Sequence, residues 1–103
     1  MRSEADVKKK VRAVLDKLRP ALWWYMPVQT GYGVRGIPDF VVCFAGRFIA
    51  IETKDPAGKN SLTALQTLQR DAILEARGQY LVVRSDEDIA NLTAFLGGIP
   101  HEL

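Results

Sequence analysis

Cysteine is nearly absent. Cys43 is the only one in 103 residues, so no disulfide can form within the chain. Flanked by Val42 and Phe44, it reads as a buried, reduced core residue, which favours a reducing compartment and a cytoplasmic location. Histidine is as scarce. His101 is the single one and reads as a solvated tail residue, so Ser-His-Asp and Cys-His nucleophilic arrangements lack their base. No apolar run is long enough to span a membrane, and Met1 to Asp6 carry no signal-peptide apolar region. A strong charge of one sign is also missing: a net charge of +2 permits nucleic-acid binding without arguing for it. Repeats, low-complexity tracts and linkers are absent, so residues 1–103 are expected to form a single domain. What is present is an ordinary globular composition, 48% hydrophobic and 25% charged. A chain of this size buries only roughly two-thirds of its unfolded surface, which leaves a modest core and room for a partner.

Local patterns give the elements. Ser3-x-x-Asp6 is close to a capping box, so a helix begins near Glu4. Its apolar stripe is Val7, Val11, Val14, Leu15 and Leu18, and Pro20 ends it. Leu22 to Val28 is apolar and aromatic, as expected of a strand, and Gln29 to Gly36 is a loop. Asp39–Phe44 and Arg47–Thr53 are short strands around Ala45-Gly46, a hairpin signal. Pro56 to Asn60 is a turn. A helix from about Thr63 to Arg77 stops at Gly78, a strand covers Tyr80 to Arg84, and a third helix runs from Ser85 to Gly97-Gly98. The order α-β-β-β-α-β-α, with mostly antiparallel strands, predicts an α/β layered domain.

The hairpin brings chemistry together. If Ala45-Gly46 is a two-residue turn, Phe44 lies opposite Arg47 and Asp39 opposite Glu52; a three-residue turn would shift the register by one and leave the pair diagonal but still close. Facing side chains have Cβ atoms roughly 5 Å apart, and like charges there repel. Lys54 follows Glu52 by two and projects from the same face. Two opposed carboxylates need either a shared proton or a cation between them. Hard oxygen donors suit Mg²⁺ or Mn²⁺. An ordinary salt-bridge cluster neutralised by Lys54 is the other reading. Glu4 shares the face of Val7 and Val11, where a carboxylate is costly unless paired or metal-bound. It is also a first-turn acid with Lys8 as its i+4 partner.

Other features are less selective. Gly31-Tyr32-Gly33-Val34-Arg35-Gly36 matches a dinucleotide fingerprint, but a strand rather than a helix follows, so no nucleotide cofactor is expected. Tyr32 and Arg35 in that loop, Lys59 in the turn, and Lys8, Lys9 and Arg12 among the basic residues of the first helix are candidate DNA contacts. A connecting loop and a solvated helix face are the alternatives. Trp23, Trp24 and Tyr25 are consecutive, so at least one points away from the core. Helices on both sheet faces are expected to cover it, with a subunit interface or a base-stacking contact as the alternative.

Taken in order, Gly36-Ile37-Pro38-Asp39, Glu52-Thr53-Lys54 and Leu62-Thr63-Ala64-Leu65-Gln66 resemble the PD-(D/E)XK nuclease superfamily, and within it the virus-type replication-repair nuclease domain in its stand-alone form. The resemblance runs from Glu4 through the Val82 to Asp88 segment. It implies a restriction-endonuclease-like core and a Mg²⁺- or Mn²⁺-dependent deoxyribonuclease. Asp39 and Glu52 would bind the metal with the Thr53 carbonyl, and Glu4 would complete the set. Lys54 would orient the attacking water, and Gln66 would support Lys54 or the phosphate. Thr63-x-x-Gln66 is itself a capping box, so Gln66 has a structural role open to it as well. The resemblance further implies a homodimer resolving branched DNA such as four-way junctions, in a bacterial or phage-infected cell. A flap or non-specific nuclease, or a silent DNA-binding module of the same fold, are the alternatives.

Overall fold

Three helices and four strands arise from these signals in a computed structural model that describes residues 1–29, 33–58 and 61–102. Ser3 caps the first helix, α1 (Glu4–Asp16): Asp6 N donates to Ser3 Oγ at 3.2 Å and Ser3 N returns a bond to Asp6 Oδ2 at 3.2 Å. The stripe of α1 buries Val7, Val11 and Leu15 completely. The strands are β1 (Leu22–Tyr25), β2 (Phe40–Phe44) and β3 (Arg47–Thr53). They are followed by α2 (Ala64–Glu75), β4 (Gln79–Val83) and α3 (Asp86–Gly97). The sheet order is β1-β2-β3-β4. The first three strands are antiparallel neighbours and β4 is parallel to β3. A parallel return requires a crossover, and α2 supplies it. The fold is an α/β layer with a mixed sheet in the expected order α-β-β-β-α-β-α.

Alternation divides the sheet into two faces. The first carries Leu22, Phe40, Val42, Phe44, Ile49, Ile51 and Val83, all buried with Leu92 and Leu96 of α3 beneath them and α1 alongside. The second carries Trp23, Tyr25, Val41, Cys43, Phe48, Ala50, Glu52, Tyr80 and Val82, and α2 lies against it at β4.

Four expectations are corrected. Strand β1 ends at Tyr25 rather than Val28: its partner ladder stops at Val41, and Pro27 has no N–H to extend it. Cys43 is exposed, not buried, because burial of Val42 and Phe44 turns the residue between them to the opposite face. Trp23 and Tyr25 stay 53% and 47% exposed, so helices do not cover both faces. The second face is shielded by α2 only on the β4 side. His101 is partly buried rather than solvated, with its ring 4.6 Å from that of Phe44. Among the described residues, no helix is long and apolar enough to cross a membrane.

Candidate active site

The turn fixes the site. Ala45 and Gly46 both have positive φ, 51° and 78°, the mirror-image geometry whose twist matches two flanking strands. Phe44 then pairs with Arg47 and Phe40 with Ile51, which leaves Asp39 next in line, opposite Glu52. Glu52 is only 3% exposed. The two carboxyl groups hydrogen-bond to each other, and Thr53 N and Oγ1 both donate to Asp39 Oδ2, at 2.9 and 2.6 Å.

Their ionisation divides accordingly. Burial pushes Glu52 up to about 9, helped by its hydrogen bond to Asp39 and that group's charge. Burial resists ionisation of Asp39 too, but the bonds from Glu52 and Thr53 and the nearby Lys8 charge hold it below the usual carboxylate range. At neutral pH one proton therefore sits on Glu52 and the negative charge on Asp39. The second oxygen of Glu52, Oε2, is buried with no hydrogen-bond partner.

Beyond the end of β3, Lys54 Nζ donates to Gln66 Oε1 at 2.8 Å. The same oxygen accepts from Thr63 N at 3.0 Å, while Gln66 N donates to Thr63 Oγ1 at 3.1 Å. Gln66 thus caps α2 and holds Lys54 at once. The helix start is brought to this place by Gly36, whose φ is +76° and where an added Cβ would lie 2.4 Å from the Leu65 carbonyl oxygen. Only glycine permits that approach. Gln29 Nε2 donates to Ile37 O at 3.1 Å and ties the chain before the loop to the segment leading into Asp39.

Glu4 lines the same cavity, about 320 Å³ in volume, with Asp39, Glu52, Thr53, Lys54 and Gln66. Its carboxylate is engaged by Lys8, whose Nζ lies 2.7 Å from Glu4 Oε2 and 4.0 Å from Asp39 Oδ2. Among the described residues, no three His, Cys, Asp or Glu side chains form a ready-made metal-binding group. The opposed pair fits a hard cation nonetheless. One oxygen of Glu52 is unpartnered beside an ionised carboxylate, and the donors are the oxygens such ions prefer.

The DNA contacts expected from sequence are scattered. Lys8 is half-buried, bonded to Glu4 and 4.0 Å from Asp39, rather than standing on the solvated face. Lys9, Arg12 and Arg35 are exposed, with Arg12 Nη1 set 3.9 Å from Met26 Sδ. Tyr32 and Lys59 lie outside the described residues. Sequence reading missed Tyr80, whose buried hydroxyl has no partner. Its phenol is pushed up to about 12 by burial and then by the charges of Glu52 and Asp39. Its apolar neighbours in the chain gave no sign of this.

Comparison with protein-family models, curated proteins and solved structures finds no match.

Proposed function

We propose that this chain is a metal-dependent deoxyribonuclease of the PD-(D/E)XK kind. The observation that carries the reading is Asp39 opposite Glu52, two carboxyl groups bonded to each other where a cation could replace the proton, with the Lys54 ammonium projecting from the same end of the hairpin. The order of elements and the mixed sheet support the same core.

Asp39 and Glu52 would hold Mg²⁺ or Mn²⁺, with the Thr53 carbonyl as a further donor. When bound, such an ion lowers the pKa of an attacking water and polarises the phosphoryl oxygen. To serve as a ligand, Glu52 would have to release its proton to solvent. Thr53 keeps Asp39 aimed by two hydrogen bonds. Lys54 offers a fixed positive charge to the non-bridging phosphate oxygens, where charge builds during in-line attack. Gln66 holds that ammonium in place. Glu4 lines the cavity, and Lys8 beside it balances the charge of Glu4 and Asp39.

The seven described elements are all engaged in the sheet and the helices around it, so phosphate positions, and hence backbone shape, would decide binding by this domain. Branched DNA cut by a symmetric pair of sites fits that requirement, and a second copy of this chain fits the uncovered sheet face. Trp23 and Tyr25 make an aromatic ridge with ring centroids 5.3 Å apart. On the same face a cavity of about 340 Å³ is lined only by Phe48, Ala72, Ile73, Ala76 and Gly78. Trp23, Cys43 and Phe48 are in register across three strands, so a two-fold axis near Cys43 would set each ridge into the other copy's cavity. No residue of β1 or β2 on this face is charged, so nothing there repels an identical surface, and nothing attracts phosphate. The function is tested by incubating the protein with Mn²⁺ and an equimolar mixture of a four-way junction and a duplex of the same sequence at fixed salt. Preferential, chelator-sensitive cutting of the junction is expected. Equal cutting of both removes the branched-DNA reading, and cutting in chelator removes the metal.

A further inference from the structure

Tyr80 lies in β4 opposite Ala50, and the next register pair on that side of the two strands is Val82 with Glu52. With a period of two, the Tyr80 and Glu52 side chains leave the sheet on the same face. Two buried side-chain oxygens among the described residues have no hydrogen-bond partner: Tyr80 Oη and Glu52 Oε2. One is a donor and the other an acceptor. A phenol is protonated at neutral pH and so can donate.

Buried polar groups rarely stay unsatisfied, and a single water with two or more polar partners is the usual bridge between groups too far apart for direct contact. We propose that Tyr80 is a positioning residue, holding the free oxygen of Glu52 through one shared water and so fixing the plane of that carboxylate. The inference rests on the reading that Asp39 and Glu52 hold a divalent cation. Its consequence is specific. An ionised Glu52 with a donor on its outer oxygen is oriented and stabilised as a cation ligand, and without that donor it rotates and is harder to ionise. Tyr80 touches neither substrate nor cation on this account. Its effect passes entirely through Glu52.

Tyr80→Phe removes one atom and keeps the ring. Mn²⁺ binding to wild type and variant, followed by calorimetry and by the electron-spin signal of free Mn²⁺, should show about a tenfold weaker affinity in the variant. Cleavage at saturating Mn²⁺ should recover most of the wild-type rate, while cleavage at limiting Mn²⁺ should not. The variant should stay folded in chelator with at most a small loss of thermal stability, because the hydroxyl reaches Glu52 only through water. Equal Mn²⁺ affinity in the two proteins would overturn the proposal and leave the metal site standing. Loss of the fold in chelator would overturn it too, since it would make Tyr80 structural. A wild type that binds no Mn²⁺ would overturn this inference together with the cation site on which it rests.

Discussion

Lys8 is bonded to Glu4 at 2.7 Å and stands 4.0 Å from Asp39, which makes it the counter-ion a divalent cation must compete with. Lys8→Met should therefore tighten Mn²⁺ binding several-fold. It should also lower stability in chelator by about 1 kcal/mol or less, the range of partly exposed ion pairs. Parallel Mn²⁺ titrations and melts of the two proteins check both signs, and weaker binding in the variant would refute the competition. Glu52 sets the pH dependence. Its folded value of about 9 lies above its ordinary 4.5, so its contribution to stability is fully present below pH 4.5 and is lost as pH rises through 9. Asp39 works in the opposite sense: its lowered value gives stability above its ordinary 3.8 that is lost on acidification. In chelator the melting temperature should decline between about pH 5 and pH 9, and Glu52→Gln should flatten that decline. Mn²⁺ affinity should rise over the same window, because the Glu52 proton has to leave. A flat wild-type profile would mean that Glu52 is already ionised.

At the level of elements, the hairpin governs everything near it. Ala45 sits at φ 51° in a turn position that favours Asn or Asp. Ala45→Asn should raise stability by about 1 kcal/mol, seen as a higher urea midpoint at unchanged slope, with cleavage unaffected. Loss of cleavage would show that the register had slipped. This hairpin was legible in the sequence because turn length alone sets register, and so Asp39 and Glu52 could be placed face to face before any coordinates. The starts of α1, α2 and α3 were legible for a similar reason: Ser3, Thr63 and Ser85 cap them through bonds three residues away. What depends on distant packing was not. Cys43 was misjudged from its neighbours' polarity instead of their alternation. The end of β1 was overshot because the apolar run continues past the ladder. Tyr80 escaped notice because the register of β4 on β3 is set by the α2 crossover, whose geometry no local pattern records. The pairing of Lys8 with Glu4 was legible from its i, i+4 spacing, but the nearness of Lys8 to Asp39 was not, because Asp39 approaches from another element.

For the whole molecule, the uncovered aromatic face makes a prediction independent of catalysis. If two copies meet as inferred, Cys43 of each lies near the two-fold axis. Mild oxidation at micromolar concentration should then yield a disulfide-linked dimer in high proportion, and Trp23→Ser should abolish it and leave a monomer by light scattering. A wild-type monomer that forms no such link would remove the second copy without touching the active site. The nuclease claim itself turns on one measurement: the rate at which supercoiled DNA is nicked in saturating Mn²⁺ by wild type, Asp39→Asn and Lys54→Met, each shown to be folded. The account predicts cutting by the wild type, abolished by chelator. Asp39→Asn should be inactive, and Lys54→Met should bind Mn²⁺ normally while cutting at least about a hundredfold more slowly. Wild-type rates in Lys54→Met, or a folded wild type that binds Mn²⁺ and leaves the DNA intact, would contradict it.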